Sequence, residues 1–303
     1  MPKVSVIMPT FNRKAYLKAA IESVLLQKID DFEIIITDNA STDGTDELVA
    51  SFTNESIRYF RNEKNIGVVN NYNKALELAS GEYVYIFSDD DIMLQDNILK
   101  KVKILDAYSN VSLVHSNIKI INEIGQITSG KHWAGSYYDK WNECHCSDLL
   151  SSGKKYFEIL YNHWNIISMP SVLVRRSVLN KVGVLNTKTH YFCDWDLWMR
   201  ICLFSDVYYL SETLLDYRIH ASNTISEINH EIKTNELVLI KKILFSEYAS
   251  KLHEIGLSEN NIEESVAKQI AKYPMANSSH AADIKSYSLL SRIKNKFFKF
   301  LFS

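Results

Sequence analysis

Apolar positions along the first hundred residues switch between two periods, and the switching predicts the elements. Val4 to Met8, apolar except for Ser5, predicts a strand. Leu17, Ala20, Ile21 and Val24 then recur at helical spacing, which predicts an amphipathic helix from about Ala15 to Gln27. Phe32 to Ile36 reads as a continuous apolar run, the pattern of a strand covered on both faces. In "STDGTDELVASF" a Ser/Thr/Asp cluster precedes Leu48 and Val49 and reads as a helix start. Ile57 to Phe60 predicts a third strand, Asn70 to Ala79 a helix, Tyr83 to Phe87 a fourth strand, and Asp96 to Ala107 another helix.

This βαβαβαβ order predicts an α/β fold with a Rossmann-like, mostly parallel central sheet flanked by helices and joined by right-handed crossovers. In such sheets ligands bind beyond the carboxyl ends of the strands. The polar segments that follow the strands are Pro9-Thr10-Phe11-Asn12, Thr37-Asp38-Asn39, Asn65-Ile66-Gly67 and Ser88-Asp89-Asp90-Asp91, so all four converge on one edge. The last crowds three carboxylates at a strand end, where like charges raise one another's pKa unless water or a cation intervenes. Two readings fit: a hydrated acidic turn ahead of a helix, or a cation site.

Further along, Val111 to Ile121 predicts a further strand pair or one long strand, and Gly125 to Ser152 is an irregular aromatic stretch of the kind that forms a binding lid. From Lys154 the pattern is helical, "PSVLVRRSVLNKVGVL" predicts a strand then a helix, "CDWDLWMRICLF" an amphipathic helix, and Tyr208 to Tyr217 a strand. Beyond about Ile225 the chain reads as helical and polar, with surface for self-association. The pattern divides the chain into 1–110, 111–225 and a helical C-terminal extension at 226–303.

Composition narrows the class. With 303 residues the chain can bury a large core, and its net charge of −2 gives no overall attraction to nucleic acid. No run approaches the roughly 18 apolar residues of a membrane span. The N-terminus lacks a signal peptide's order, so the expectation is a cytoplasmic protein. Four cysteines in a reducing compartment read as free thiols, and Cys144-His145-Cys146 lacks the distant partner pair a zinc site needs.

The segments "VSVIMPTFNR", "ITDNASTDGT", "KNIG", "GEYVYIFSDDD", "CDWDLWMR" and "YRIHASNTIS" occur in that order over residues 3 to 226, and together they resemble the family-2 glycosyltransferases of GT-A fold. The resemblance implies an inverting enzyme that moves sugar from a nucleotide diphosphate sugar, a UDP-sugar first among them, to a glycan or lipid-linked acceptor in cell-surface polysaccharide assembly. It implies that Asp89 contacts the nucleoside and that Asp90 holds Mn²⁺ or Mg²⁺ against the diphosphate, with Asp91 supporting local backbone. Asp38 matches the acid that meets the base, where the alternative is an aspartate capping the turn before Ser41. Thr10 and Asn12 match nucleotide-facing residues, with an ordinary turn as their alternative. Where many relatives carry an arginine this chain has Tyr72, and Asn71 is the substitute contact.

An inverting transfer also needs a base opposite the leaving group. The resemblance assigns it to Asp194, whose alternative is a plain helix cap. Cys193 stands where relatives carry Glu. Helical spacing puts Trp195, Trp198, Met199 and Cys202 on a buried stripe and leaves Asp196 and Arg200 as a surface pair. His220 matches a histidine that completes the metal shell, and Arg218 reads either as a phosphate contact or as a surface pair. Past Asp283 the tail has no acids, and within residues 285–303 basic residues interleave with Phe297, Phe298, Phe300 and Phe302. That composition fits peripheral contact with an anionic membrane at its inner face, or a terminal helix packing its phenylalanines inward. A sugar-1-phosphate nucleotidylyltransferase would need a Gly-rich loop after the first strand, and none is present.

Overall fold

The computed structural model describes residues 1–128, 145–221, 223 and 230–272. Its first half is four parallel strands, β1 (Val4–Thr10), β2 (Phe32–Asp38), β3 (Ile57–Arg61) and β4 (Tyr83–Ile86), paired in the order β3-β2-β1-β4. The crossovers carry α1 (Lys14–Leu25), α2 (Thr45–Ala50) and α3 (Val68–Leu78). Every residue of β1 is buried, as expected of a strand covered on both faces, and Leu17, Ala20, Ile21 and Val24 of α1 are fully buried.

After β4 come β5 (Ile92–Met93), α4 (Asn97–Ala107), β6 (Val111–Ile121), β7 (Leu149–Ser151), α5 (Gly153–Asn162), β8 (Val172–Arg175), α6 (Arg176–Val182), α7 (Cys193–Cys202) and β9 (Asp206–Arg218). The sheet continues through β8, antiparallel to both β4 and β6, and then through β9, parallel to β6, with β5 at the far edge. Most of the register is therefore parallel, and strands from both halves share one sheet. Residues 129–144 of the stretch read as a lid lie outside the described residues, as does the tail at 285–303. Cys146, Cys193 and Cys202 carry free thiols.

Two sequence expectations need correction. The run at Phe32 to Ile36 contains Glu33, which is buried; burial alone would raise its pKa, but bonds from Ser5, Ser80 and Arg58 hold it down at about 2. Arg200 is not a surface partner of Asp196. Both are buried, with Arg200 Nε and Nη2 donating to Asp196 Oδ2 at 3.0 and 2.8 Å. Further donations to the carbonyls of Val182 and Val184 explain the burial, because the guanidinium closes the end of α6 against α7. The expected stripe of Trp195, Trp198, Met199 and Cys202 is buried.

The helices α8 (His230–Glu254) and α9 (Ile262–Lys272) pack on this body through Leu237, Ile240, Leu244 and Val266. Glu236 of α8 accepts from the backbone amides of His190, Tyr191 and Phe192 at 2.9 to 3.1 Å, which fixes the approach to α7. Among the described residues no helix is long and apolar enough to cross a membrane.

Candidate active site

The carboxyl ends of β1, β2 and β4 open into a cavity of about 630 Å³. Its lining includes Thr10, Arg13, Asn71, Tyr72, Asp89 and Asp90 from the first half of the chain, and Met169, His190, Tyr191, Cys193 and Asp194 from the second. The polar segments that were expected to converge therefore do so.

The acidic run is buried, not a hydrated turn: Asp89, Asp90 and Asp91 are 4%, 5% and 1% exposed. Burial at this depth demands compensating charge. Arg13 supplies it, with Nη1 3.1 Å from Asp89 Oδ1 and 2.7 Å from Asp90 Oδ2. His220 Nε2 lies 2.9 Å from the same Asp90 oxygen, and its ring stacks on Tyr16 with centroids 4.8 Å apart. Burial raises the Asp89 pKa, Arg13 lowers it and Asp90 raises it again, leaving it at about 6.

Asp91 holds backbone, as expected: its Oδ1 accepts from the Arg218 amide at 2.7 Å, while Oδ2 is buried without a hydrogen-bond partner. Burial first, and then the charge of Asp90, push its pKa well up. Arg218 fits neither sequence reading. It is buried beside the Tyr16 ring, with Nε on the carbonyl of Asp90 and Nη1 on those of Asn122 and Glu123. Its guanidinium thus staples the acidic turn to the loop after β6.

Of the residues expected to face a nucleotide, Thr10 is buried beside Asp89 and lines the cavity. Asn12, at a φ of 51° that Asn tolerates, accepts from the Thr42 amide at 2.8 Å, and so ties the first loop to the second. Phe11 and Arg13 line the cavity on either side of it. Asp38 is fully buried; it accepts from Ser41 N at 2.8 Å and Tyr59 Oη at 2.5 Å, while its neighbour Asn39 reaches the cavity. Asn71 Nδ2 donates to the Thr37 carbonyl at 2.8 Å, joining α3 to β2. Tyr72 pairs with Ser88, and burial holds its hydroxyl well above the ordinary tyrosine pKa.

Asp194 is the second residue of α7, where the helix dipole favours an anion, and not the cap, which is Phe192. Its Oδ1 accepts from Trp195 N at 2.7 Å and its Oδ2 from Asn165 Nδ2 at 3.1 Å. Burial raises its pKa to about 6, partly offset by those bonds. That value suits a proton acceptor at neutral pH.

Sequence reasoning gave no role to Arg13, and placed Asn165, with His163 and Trp164, only in the stretch from about Trp133 to Ser171 expected to choose the acceptor. Arg13 was open to a charge-balance argument, since it lies just past the end of β1 on the expected edge; Asn165, on a loop far from Asp194 in sequence, gave no such signal.

Residues 5–183 match the family described as Glycosyl transferase family 2. An uncharacterized glycosyltransferase of Methanocaldococcus jannaschii is 32% identical over 83% of this chain and 79% of its own. The GalNAc(5)-diNAcBac-PP-undecaprenol beta-1,3-glucosyltransferase of Campylobacter jejuni is 43% identical over 50% of this chain and 48% of its own. Among solved structures, S. aureus TarS 1-349 with UDP-GlcNAc has a TM-score of 0.61 at 19% identity, covering 88% of this chain and 71% of that one. The Pyrobaculum calidifontis mannosyltransferase PcManGT with GDP-Man and Mn²⁺ has a TM-score of 0.59 at 16% identity, covering 98% and 81%. At these identities the two structures show the fold alone. The chain belongs to glycosyl transferase family 2 and is a nucleotide-sugar glycosyltransferase of GT-A fold. The family match ends before Asp194 and His220.

Proposed function

We propose that this enzyme transfers a sugar, with inversion, from a UDP-sugar to a hydroxyl of a lipid-linked glycan, with Asp194 as general base. The observation that carries the reading is that Asp194 and the Asp89–Asp90 pair, about a hundred residues apart in sequence, line one cavity. Asp194, ionised, takes the acceptor hydroxyl's proton as that oxygen bonds to the anomeric carbon and the nucleoside diphosphate leaves. Asp89 and Thr10 meet the nucleoside with Asn71 beside them, while Asp38 and Asn12 act on it by holding the loops that carry Asn39, Phe11 and Arg13. Two relatives support the substrate classes: TarS was solved with UDP-GlcNAc, and the Campylobacter enzyme is named for an undecaprenol-linked substrate.

The residues present fit a divalent cation. Asp90 Oδ2 and His220 Nε2 lie together, a carboxylate oxygen and an imidazole nitrogen of the kind such an ion accepts, and Asp90 faces the cavity. Among the described residues no set of three or more His, Cys, Asp or Glu side chains could hold a metal by itself. Asp90 and His220 would therefore act with phosphate and water, as Mg²⁺ and Mn²⁺ sites commonly do, and the nitrogen ligand favours Mn²⁺. When bound, the ion neutralises charge on the leaving diphosphate. PcManGT was solved with Mn²⁺.

Thermal denaturation with UDP-, GDP-, CDP- and dTDP-sugars tests this reading, because a ligand of the native state raises its melting temperature. UDP-sugars are expected to raise it by several degrees with Mn²⁺ and much less without. Asp90→Asn is expected to remove the Mn²⁺-dependent part. A shift indifferent to both Mn²⁺ and Asp90 defeats the metal assignment.

The pH dependence follows from Asp194. Only its ionised form accepts a proton, so turnover should climb as pH rises through about 6 and fall below it. An initial-rate profile from pH 4.5 to 8 checks this; activity that is flat across pH 6 excludes Asp194 as the base.

A further inference from the structure

We propose that Arg13 is the resident counter-ion of the Asp89–Asp90 pair before the donor arrives, and that it passes to the donor's diphosphate when a divalent cation takes Asp90. The inference rests on Asp90 being the metal ligand proposed above. Arg13 Nη1 and His220 Nε2 already converge on one oxygen, Asp90 Oδ2, at 2.7 and 2.9 Å. A cation held between Asp90 and His220 would lie next to the guanidinium, and its double charge repels it. Arg13 and the metal therefore compete at Asp90.

Arg13 is built to leave. It stands at the cap of α1, on the loop after β1, and its side chain is 22% exposed against 5% and 7% for Asp89 and Asp90. Arg218, the other guanidinium near the acidic turn, is committed to three backbone carbonyls. Among the described lining residues Arg13 is the one permanent cation. A diphosphate entering the cavity brings the negative charge that Asp90 withdraws, and a planar guanidinium binds phosphate oxygens through paired N–H groups.

Metal and nucleotide binding are coupled as a result. Mn²⁺ alone must displace Arg13 with nothing to receive it; Mn²⁺ with a nucleoside diphosphate displaces it onto phosphate. The coupling is reciprocal, so it can be read from either ligand.

Calorimetry at pH 8, with Mn²⁺ alone, UDP alone, both together, and GDP in parallel, measures it without any turnover. In Arg13→Gln, Mn²⁺ alone is expected to bind at least fivefold tighter than in wild type, and the Mn²⁺–UDP coupling factor to shrink at least fivefold. Arg13→Lys, which keeps the charge, should stay near wild type for Mn²⁺ alone. Arg13→Gln binding Mn²⁺ no tighter than wild type, at an unchanged melting temperature, overturns the proposal. Coupling that is lost in Asp90→Asn but intact in Arg13→Gln sinks this inference alone. No coupling in wild type with either nucleotide sinks the metal reading and this one with it. Should Arg13→Gln fail to fold, a wild-type crystal with Mn²⁺ and UDP decides: Arg13 on the diphosphate supports the transfer, and Arg13 still on Asp90 refutes it.

Discussion

Asp194→Asn is expected to lower turnover about a thousandfold, the middle of the range a positioned general base contributes, while Mn²⁺-dependent nucleotide binding stays at its wild-type strength. Asparagine keeps an oxygen for the Trp195 amide, so the start of α7 holds its shape while the proton acceptor disappears. Release of nucleoside diphosphate from the donor selected by the thermal panel measures the first quantity, and calorimetry the second. Full turnover in the variant removes Asp194 from the mechanism; a matching loss of nucleotide affinity makes it a structural residue.

The same substitution carries a stability signature of opposite sense. The folded-state pKa of Asp194 is raised from 3.8 to about 6, chiefly by burial. A raised value means the native state holds the proton more tightly than the unfolded chain. The group's contribution is fully present below about 3.8 and is lost as pH rises through about 6. At pH 8 the enzyme therefore tolerates an ionised carboxylate where a neutral group fits better. Asp194→Asn should melt above wild type at pH 8, and that advantage should fade toward pH 4. Gain of stability with loss of turnover is the pattern of a group kept for chemistry.

How far the molecule was legible depends on which force set each feature. Leu17, Ala20, Ile21 and Val24 lie on the buried face of α1 because burial of an apolar stripe is local information. The converging loops followed from chain direction alone, since parallel strands deliver their carboxyl ends to one edge. The antiparallel turn of the sheet at β8 depends on a partner about ninety residues away and left no trace in periodicity.

Buried polar groups were harder still. Lys101 is fully buried, its Nζ donating to Tyr85 Oη at 2.9 Å and to the Ser171 carbonyl at 2.6 Å, and burial pushes its pKa well down. In sequence it is one lysine among several on α4. Glu33 was likewise read through, because Ser5, Ser80 and Arg58 come from three different segments. In the site, the residue types that attract ligands were visible, while the residues that aim them, Asn165 at Asp194 and Arg218 at Asp90, are joined only by tertiary contact.

The Asp196–Arg200 pair sets the largest stability effect expected here. Arg200→Met keeps most of the buried volume but leaves a carboxylate in the core without its counter-ion, and the carbonyls of Val182 and Val184 without their donor. Breaking a buried pair from one side costs about 3–5 kcal/mol, enough to lower the melting temperature by roughly 10 °C in a chain of this size. Asp196→Asn should cost less, because Arg200 retains its two carbonyls and an oxygen to donate to. The double variant Asp196→Leu/Arg200→Met removes both charges and should regain part of the loss, the remainder being the two unmet carbonyls at about 1–3 kcal/mol each. Urea denaturation of the four proteins closes this cycle, and a double variant no better than Arg200→Met alone excludes an unpaired charge as the cause. Burial is the largest influence on Asp196 and raises its pKa, while Arg200 lowers it. Losing Arg200 raises it further, so the variant's stability drains away as pH climbs through that higher value. The deficit should be widest near pH 8 and should narrow toward pH 5, as the carboxyl takes up the proton that replaces its lost partner.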